Sequence, residues 1–89
     1  MAWTIELEEK AKKQLAKIGK PSAARIVSYL EQRVAPLDDA RQQGRPLRGQ
    51  ELNGLWRYKV GDYRIICDIQ DQKLVVLVVE IGHRSSVYR

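Results

Sequence analysis

The chain has 89 residues, of which 44% are apolar and 30% charged, with one cysteine and a formal net charge of +5. That length allows a single domain, residues 1–89, with a modest core, and the composition argues against disorder. The lone Cys67 excludes an internal disulfide and a metal site built from thiolates, while the positive balance points to a polyanionic partner.

Trp3, Ile5 and Leu7 alternate with Thr4 and Glu6, the period of a strand with one buried face. The opening MAWTIELEEK carries acids where a signal peptide needs an apolar core. The expected location is therefore the cytoplasm, which also suits a buried thiol at Cys67. Glu8 and Glu9 open a helix at the positive end of its dipole. Ala11, Leu15 and Ile18 follow at helical spacing, and Gly19 stops the helix. Pro21 suits the first turn of a second helix, whose apolar stripe is Ile26, Val27, Leu30 and Val34 and whose end is Pro36. The pair forms an αα-hairpin.

Asp38 to Gly49 has no clear period and reads as a long surface loop, ending in Pro46-Leu47-Arg48-Gly49. Three strands follow: Leu55 to Val60, Asp62 to Ile69 and Lys73 to Ile81, joined by turns at Gly61-Asp62 and Gln70-Asp71-Gln72. Trp3, Trp56, Tyr58 and Tyr63 are read as core or sheet-packing aromatics. The third strand is apolar nearly throughout, so it is expected to be central and covered on both faces. Its longest apolar run, Leu74 to Val79, is too short to span a bilayer, and no membrane partner is expected. The order β-α-α-β-β-β makes an α+β two-layer sandwich: the first strand joins the sheet of the antiparallel meander, and the αα-hairpin packs on it.

The chain lacks a Gly-rich phosphate loop, a His/Cys cluster and a run of acids able to hold magnesium. No metal or other cofactor is expected, and a single histidine rules out a two-histidine ribonuclease. Residues 41–64 instead concentrate Arg41, Arg45, Arg48, Arg57, Lys59 and Arg64 against only Glu51 and Asp62. Arg57 and Lys59 are two apart and share a face of their strand, and a tight hairpin brings Arg64 beside them. His83-Arg84 and Tyr88-Arg89 follow the last strand and are expected to fold back over the same face. Like charges gathered on one face suit a bound phosphodiester. The chemistry that fits is cleavage of RNA by its own 2′-hydroxyl. Arginines stabilise the charge gained at phosphorus, and a lysine or tyrosine among cations serves as base. On the residues alone, a basic nucleic-acid-binding α+β domain is better supported than an enzyme.

The chain resembles the RelE/ParE toxin superfamily over nearly its whole length. The resemblance is carried by WTIELEEKAKKQLAKIGK, the LRG at Leu47 to Gly49, LWRYKVGDYRIICDI at Leu55 to Ile69, LVVLVVEIGHR and the ending VYR. It is closest to the RelE branch, marked by Arg57 and Lys59, Arg64, Gly82-His83-Arg84 and Val87-Tyr88. The resemblance implies the toxin of a type II toxin–antitoxin pair, cutting messenger RNA in the ribosomal A site without metal. Its implied partners are messenger RNA, the ribosome with its 16S rRNA, and a RelB-like antitoxin. It implies that Arg64 and Arg84 hold the scissile phosphate and that Lys59 activates the 2′-hydroxyl or balances charge. Tyr88 stacks on a base or moves a proton. Arg57, His83, Arg48 and Arg89 contact the RNA, with His83 able to donate a proton to the leaving group. Two other readings remain open: a ParE-like gyrase inhibitor without nuclease activity, and a non-catalytic RNA-binding relative.

Overall fold

The computed structural model describes residues 2–47 and 54–83. Its elements are β1 (Thr4–Leu7), α1 (Glu9–Lys17), α2 (Lys20–Tyr29), β2 (Arg45–Pro46), β3 (Leu55–Val60), β4 (Tyr63–Gln70) and β5 (Val75–His83). A π turn at Leu30–Val34 extends α2, and a 3₁₀ turn occupies Ala40–Gln42. The fold is α+β, as the sequence pattern requires: two helices cover one face of a five-stranded sheet ordered β1-β5-β4-β3-β2.

The meander β3-β4-β5 is antiparallel, and β1 joins it in parallel beside β5, with Ile5 opposite Val76 and Leu7 opposite Val78. A parallel neighbour needs a long crossover, which everything from α1 to β4 supplies. The helix-covered face carries Tyr58, Val60, Ile65, Cys67, Val76, Val78 and Ile81, which form the core with Trp3, Ala11, Ile26, Leu30 and Val34. Among the described residues both helices lie on this side. The expectation of a third strand covered on both faces therefore needs correcting: Val76, Val78 and Ile81 are buried, whereas Leu77 and Val79 are only partly so. That strand also starts later than expected, because Leu74 takes a left-handed φ of 54° in the preceding turn.

In α1, Ala11 is buried and Leu15 and Ile18 pack on the core, leaving the lysines outside. Gly19, with φ of 93°, lets the chain reverse directly into α2; the left-handed backbone, not lack of space, demands glycine there. Ile26, Leu30 and Val34 are buried, but Val27 is 42% exposed and leaves the expected stripe. Steps of four residues drift around an α-helix of 3.6 residues per turn. The wider π turn, closed by Ala35 N–H donating to the Leu30 carbonyl at 2.8 Å, brings Val34 back into line with Leu30. Beyond the end of β1, Gln14 of α1 accepts from the Ile81 N–H at 2.6 Å and satisfies a strand edge next to a register shift.

The segment expected to be a surface loop is exposed over most of residues 38–46, but it is tied to the sheet and ends in a short strand. Asp39 caps the 3₁₀ turn through the Arg41 N–H at 3.0 Å, and Arg41 makes a two-pronged ion pair with Asp71 at 2.8 and 3.0 Å. Tyr58 donates its hydroxyl to the Ala40 carbonyl at 2.7 Å, and the Trp56 indole donates to the Gln43 carbonyl at 2.7 Å. β2 then pairs with β3, Arg45 opposite Arg57 and Pro46 opposite Trp56. Two aromatic side chains of β3 thus anchor a segment whose own sequence has no period.

Candidate functional site

Alternation along β3 turns Trp56, Tyr58 and Val60 toward the helices, and Arg57 and Lys59 to the opposite face. The register fixes their neighbours. Lys59 lies directly opposite Arg64 of β4, and Arg57 lies directly opposite Arg45 of β2. Facing residues on antiparallel strands share a side of the sheet, with Cβ atoms about 4.5–5.5 Å apart. Four cations from three strands therefore gather on one patch.

A cleft of about 330 Å³ opens along this patch, lined by Tyr29, Gln43, Gly44, Arg45, Arg57, Lys59 and Arg64. Among the described residues no carboxylate lines it. Lys59 and Arg45 are exposed, while Arg57 and Arg64 are half-buried, more sheltered than the sequence suggested. Gly44 forms the floor where the segment passes over β3. Its φ is 80°, and a Cβ there would lie 2.3 Å from the Arg57 carbonyl oxygen, so only glycine lets Arg45 approach Arg57. β2 stops after pairing Arg57 and Trp56, and Tyr29 of α2 forms part of the cleft wall. Burial raises the Tyr29 phenol above its ordinary range, with the Arg33 charge pulling the other way. It remains a protonated hydrogen-bond donor at neutral pH.

Of the residues singled out from sequence, the structure brings together Arg57, Lys59 and Arg64. His83 is not among them. It pairs with Tyr63 on the helix-side face, and their rings meet edge-on at 5.7 Å between centroids, whereas the position opposite Arg64 is Gly82. One step along a strand reverses the face, which is why the expectation for His83 needs correcting. Arg48, Arg84, Tyr88 and Arg89 lie outside the described residues. Sequence reasoning missed Arg45, Gln43 and Tyr29. Arg45 was visible as part of the basic run, but only the pairing of β2 places it; Tyr29 sat unremarked between the apolar positions of α2. Tyr58 and Cys67 are fully buried, and burial pushes both well above their ordinary range, so neither is a base or nucleophile here. Among the described residues no three His, Cys, Asp or Glu side chains cluster as a metal ion would require, and no helix is long and apolar enough to cross a membrane.

Comparison with known proteins places the chain in a family. The description "ParE toxin of type II toxin–antitoxin system" matches residues 5–88. The chain belongs to that family. As a RelE/ParE-type toxin it is similar to Toxin RelE of Mycobacterium tuberculosis, with 32% identity covering 76% of this chain and 79% of the relative. It is also similar to the mRNA interferase toxin RelE of Escherichia coli, with 29% identity covering 99% of this chain and 92% of the relative. Its fold is that of a chain in the RelBE2 toxin–antitoxin complex of M. tuberculosis, with a TM-score of 0.84 at 23% identity, covering 97% of this toxin and 95% of that chain.

Proposed function

We propose that this toxin is an endoribonuclease that cleaves messenger RNA in the ribosomal A site. The observation that carries the reading is the convergence of Arg45, Arg57, Lys59 and Arg64 from three strands on one cleft. The scissile phosphate sits between Arg64 and Arg57, whose guanidiniums match its oxygens. The 2′-oxygen attacks phosphorus, and its proton passes to water as the P–O bond forms. Lys59, opposite Arg64, stabilises the alkoxide with its ammonium. Charge builds on the non-bridging oxygens and is met by the arginines, each well-placed donor contributing about 3–4 kcal/mol. The bond to the 5′-oxygen then breaks as that oxygen takes a proton from water, leaving a 2′,3′-cyclic phosphate and a 5′-hydroxyl. These steps need no metal. Arg84 is assigned to the phosphate and Tyr88 to base stacking or proton transfer, with Arg48 and Arg89 as further RNA contacts.

The name of the E. coli relative, an mRNA interferase, supports the activity, and the toxin–antitoxin complexes among proteins of the same fold support a RelB-like antitoxin as partner. A basic cleft suits an acidic peptide that orders on binding. The match to a family described as ParE toxins favours a second reading, gyrase inhibition without RNA chemistry. Both are tested by incubating the toxin with translating ribosomes and mapping the RNA ends. Fragments ending in cyclic phosphate support the ribonuclease. Intact RNA together with blocked DNA supercoiling supports the inhibitor.

A further inference from the structure

Tyr29 lines two clefts, not one. On one side lies the four-cation cleft. On the other, a second cleft of about 580 Å³ runs along α2 and the π turn, lined by Ala24, Arg25, Ser28, Tyr29, Gln32, Arg33 and Val60. Among the described residues this second cleft also has no carboxylate in its wall. Arg25 and Arg33 are exposed and stand about two turns apart on one side of the helix, and the Arg25 guanidinium reaches toward Gly61 at the β3–β4 turn. Tyr29 lies midway between them in sequence and half-exposed, its ring steadied by a tilted contact with the buried Tyr58 at 6.1 Å between centroids.

A pair of cationic clefts separated by one propped aromatic ring has the form of a single-strand nucleic-acid track. Backbone phosphates follow the cations, and a base lies on the ring, since every base offers a π-face. We infer that Tyr29 is a stacking platform that carries the RNA strand out of the phosphate cleft and onto Arg25 and Arg33, a second subsite for nucleotides flanking the cut. The inference rests on the ribonuclease reading for its substrate. Its geometry comes from residues that reading does not use. The ring's place is set by the helix: the π turn starts one residue after Tyr29 and holds Leu30 and Val34 in the core, which keeps Tyr29 turned to the cleft.

The test is binding of uncleavable, fully 2′-O-methylated RNA, in a short form of about three nucleotides and a long form of about eight, the range one such site spans. Wild type, Tyr29→Leu, Tyr29→Phe and Arg25→Ala/Arg33→Ala are compared by fluorescence anisotropy. Tyr29→Leu weakens the long RNA roughly ten-fold, as loss of one stacked base does, and leaves the short RNA less affected. Tyr29→Phe keeps the ring and binds as wild type. The arginine pair lowers the slope of log affinity against log salt by about 1.4, the amount for two phosphates on a single strand. Thermal unfolding of each variant separates a folding defect from lost binding, and the exposed arginine pair keeps the test decisive should Tyr29→Leu unfold. Wild-type affinity in Tyr29→Leu, an unchanged salt slope in the arginine pair, or no binding of either RNA by wild type overturns the inference. Tyr29-dependent binding without cleavage on ribosomes removes the ribonuclease reading and leaves the track. Cleavage with Tyr29-independent binding does the reverse.

Discussion

The phenol of Tyr58, fully buried in the sheet's core, donates to the carbonyl of Ala40 at 2.7 Å and so ties the segment carrying Arg45 to the strand carrying Arg57 and Lys59. Removing the hydroxyl leaves that carbonyl without its partner while the ring still fills its space. Tyr58→Phe should therefore cost about 1–2 kcal/mol, measured by urea unfolding, and weaken RNA binding through a looser Arg45. A variant as stable as wild type would show that the segment holds without the tie.

Gly44→Ala should be more damaging. A methyl group would collide with the Arg57 carbonyl in a backbone conformation that disfavours side chains. The cost is on the order of 1–3 kcal/mol for strain, with more for displacing the strand. Gly19→Ala makes the control, since its φ is also positive but no atom lies within 4 Å of the added carbon. Unfolding midpoints should rank wild type above Gly19→Ala, and Gly19→Ala above Gly44→Ala.

Arg64→Ala should reduce the cleavage rate on ribosomes roughly 10²–10³-fold, the usual effect of removing one preorganised donor. His83→Ala should cost far less, because its ring lies with Tyr63 on the helix side. Equal losses in the two variants would mean that the site wraps around the end of β5.

The Arg41–Asp71 pair predicts a pH signature. The hydrogen bond from Arg41 holds the Asp71 carboxyl below its ordinary range. A carboxyl whose pKa falls on folding adds stability above its unfolded pKa, and that stability is lost as pH drops through the folded value. Asp71→Asn should thus be less stable than wild type at neutral pH, and the gap should close below the ordinary carboxylate range. Both partners are solvent-exposed, so the effect is small and about 1 M salt should shrink it further.

The periodicity of β1, α1 and β3 was legible because each turns one face to the core, and such a face leaves its period in the sequence, whereas β5 was legible only as an apolar run. The proximity of Arg57, Lys59 and Arg64 was legible too, since a tight turn at Gly61 leaves little freedom in how β3 and β4 align. Residues 38–47 were illegible for the opposite reason. Their order comes from Tyr58, Trp56 and Asp71, partners distant in the chain, and a segment anchored from outside has no need of a pattern of its own. Composition and local alternation, which act between near neighbours, determined the basic character of the toxin and most of its secondary structure. The extent of the cleft was decided only when β2 set Arg45 beside Arg57, the π turn aimed Tyr29, and strand register turned His83 away. Those are relations across space, set by packing between elements, and no run of adjacent residues encodes them.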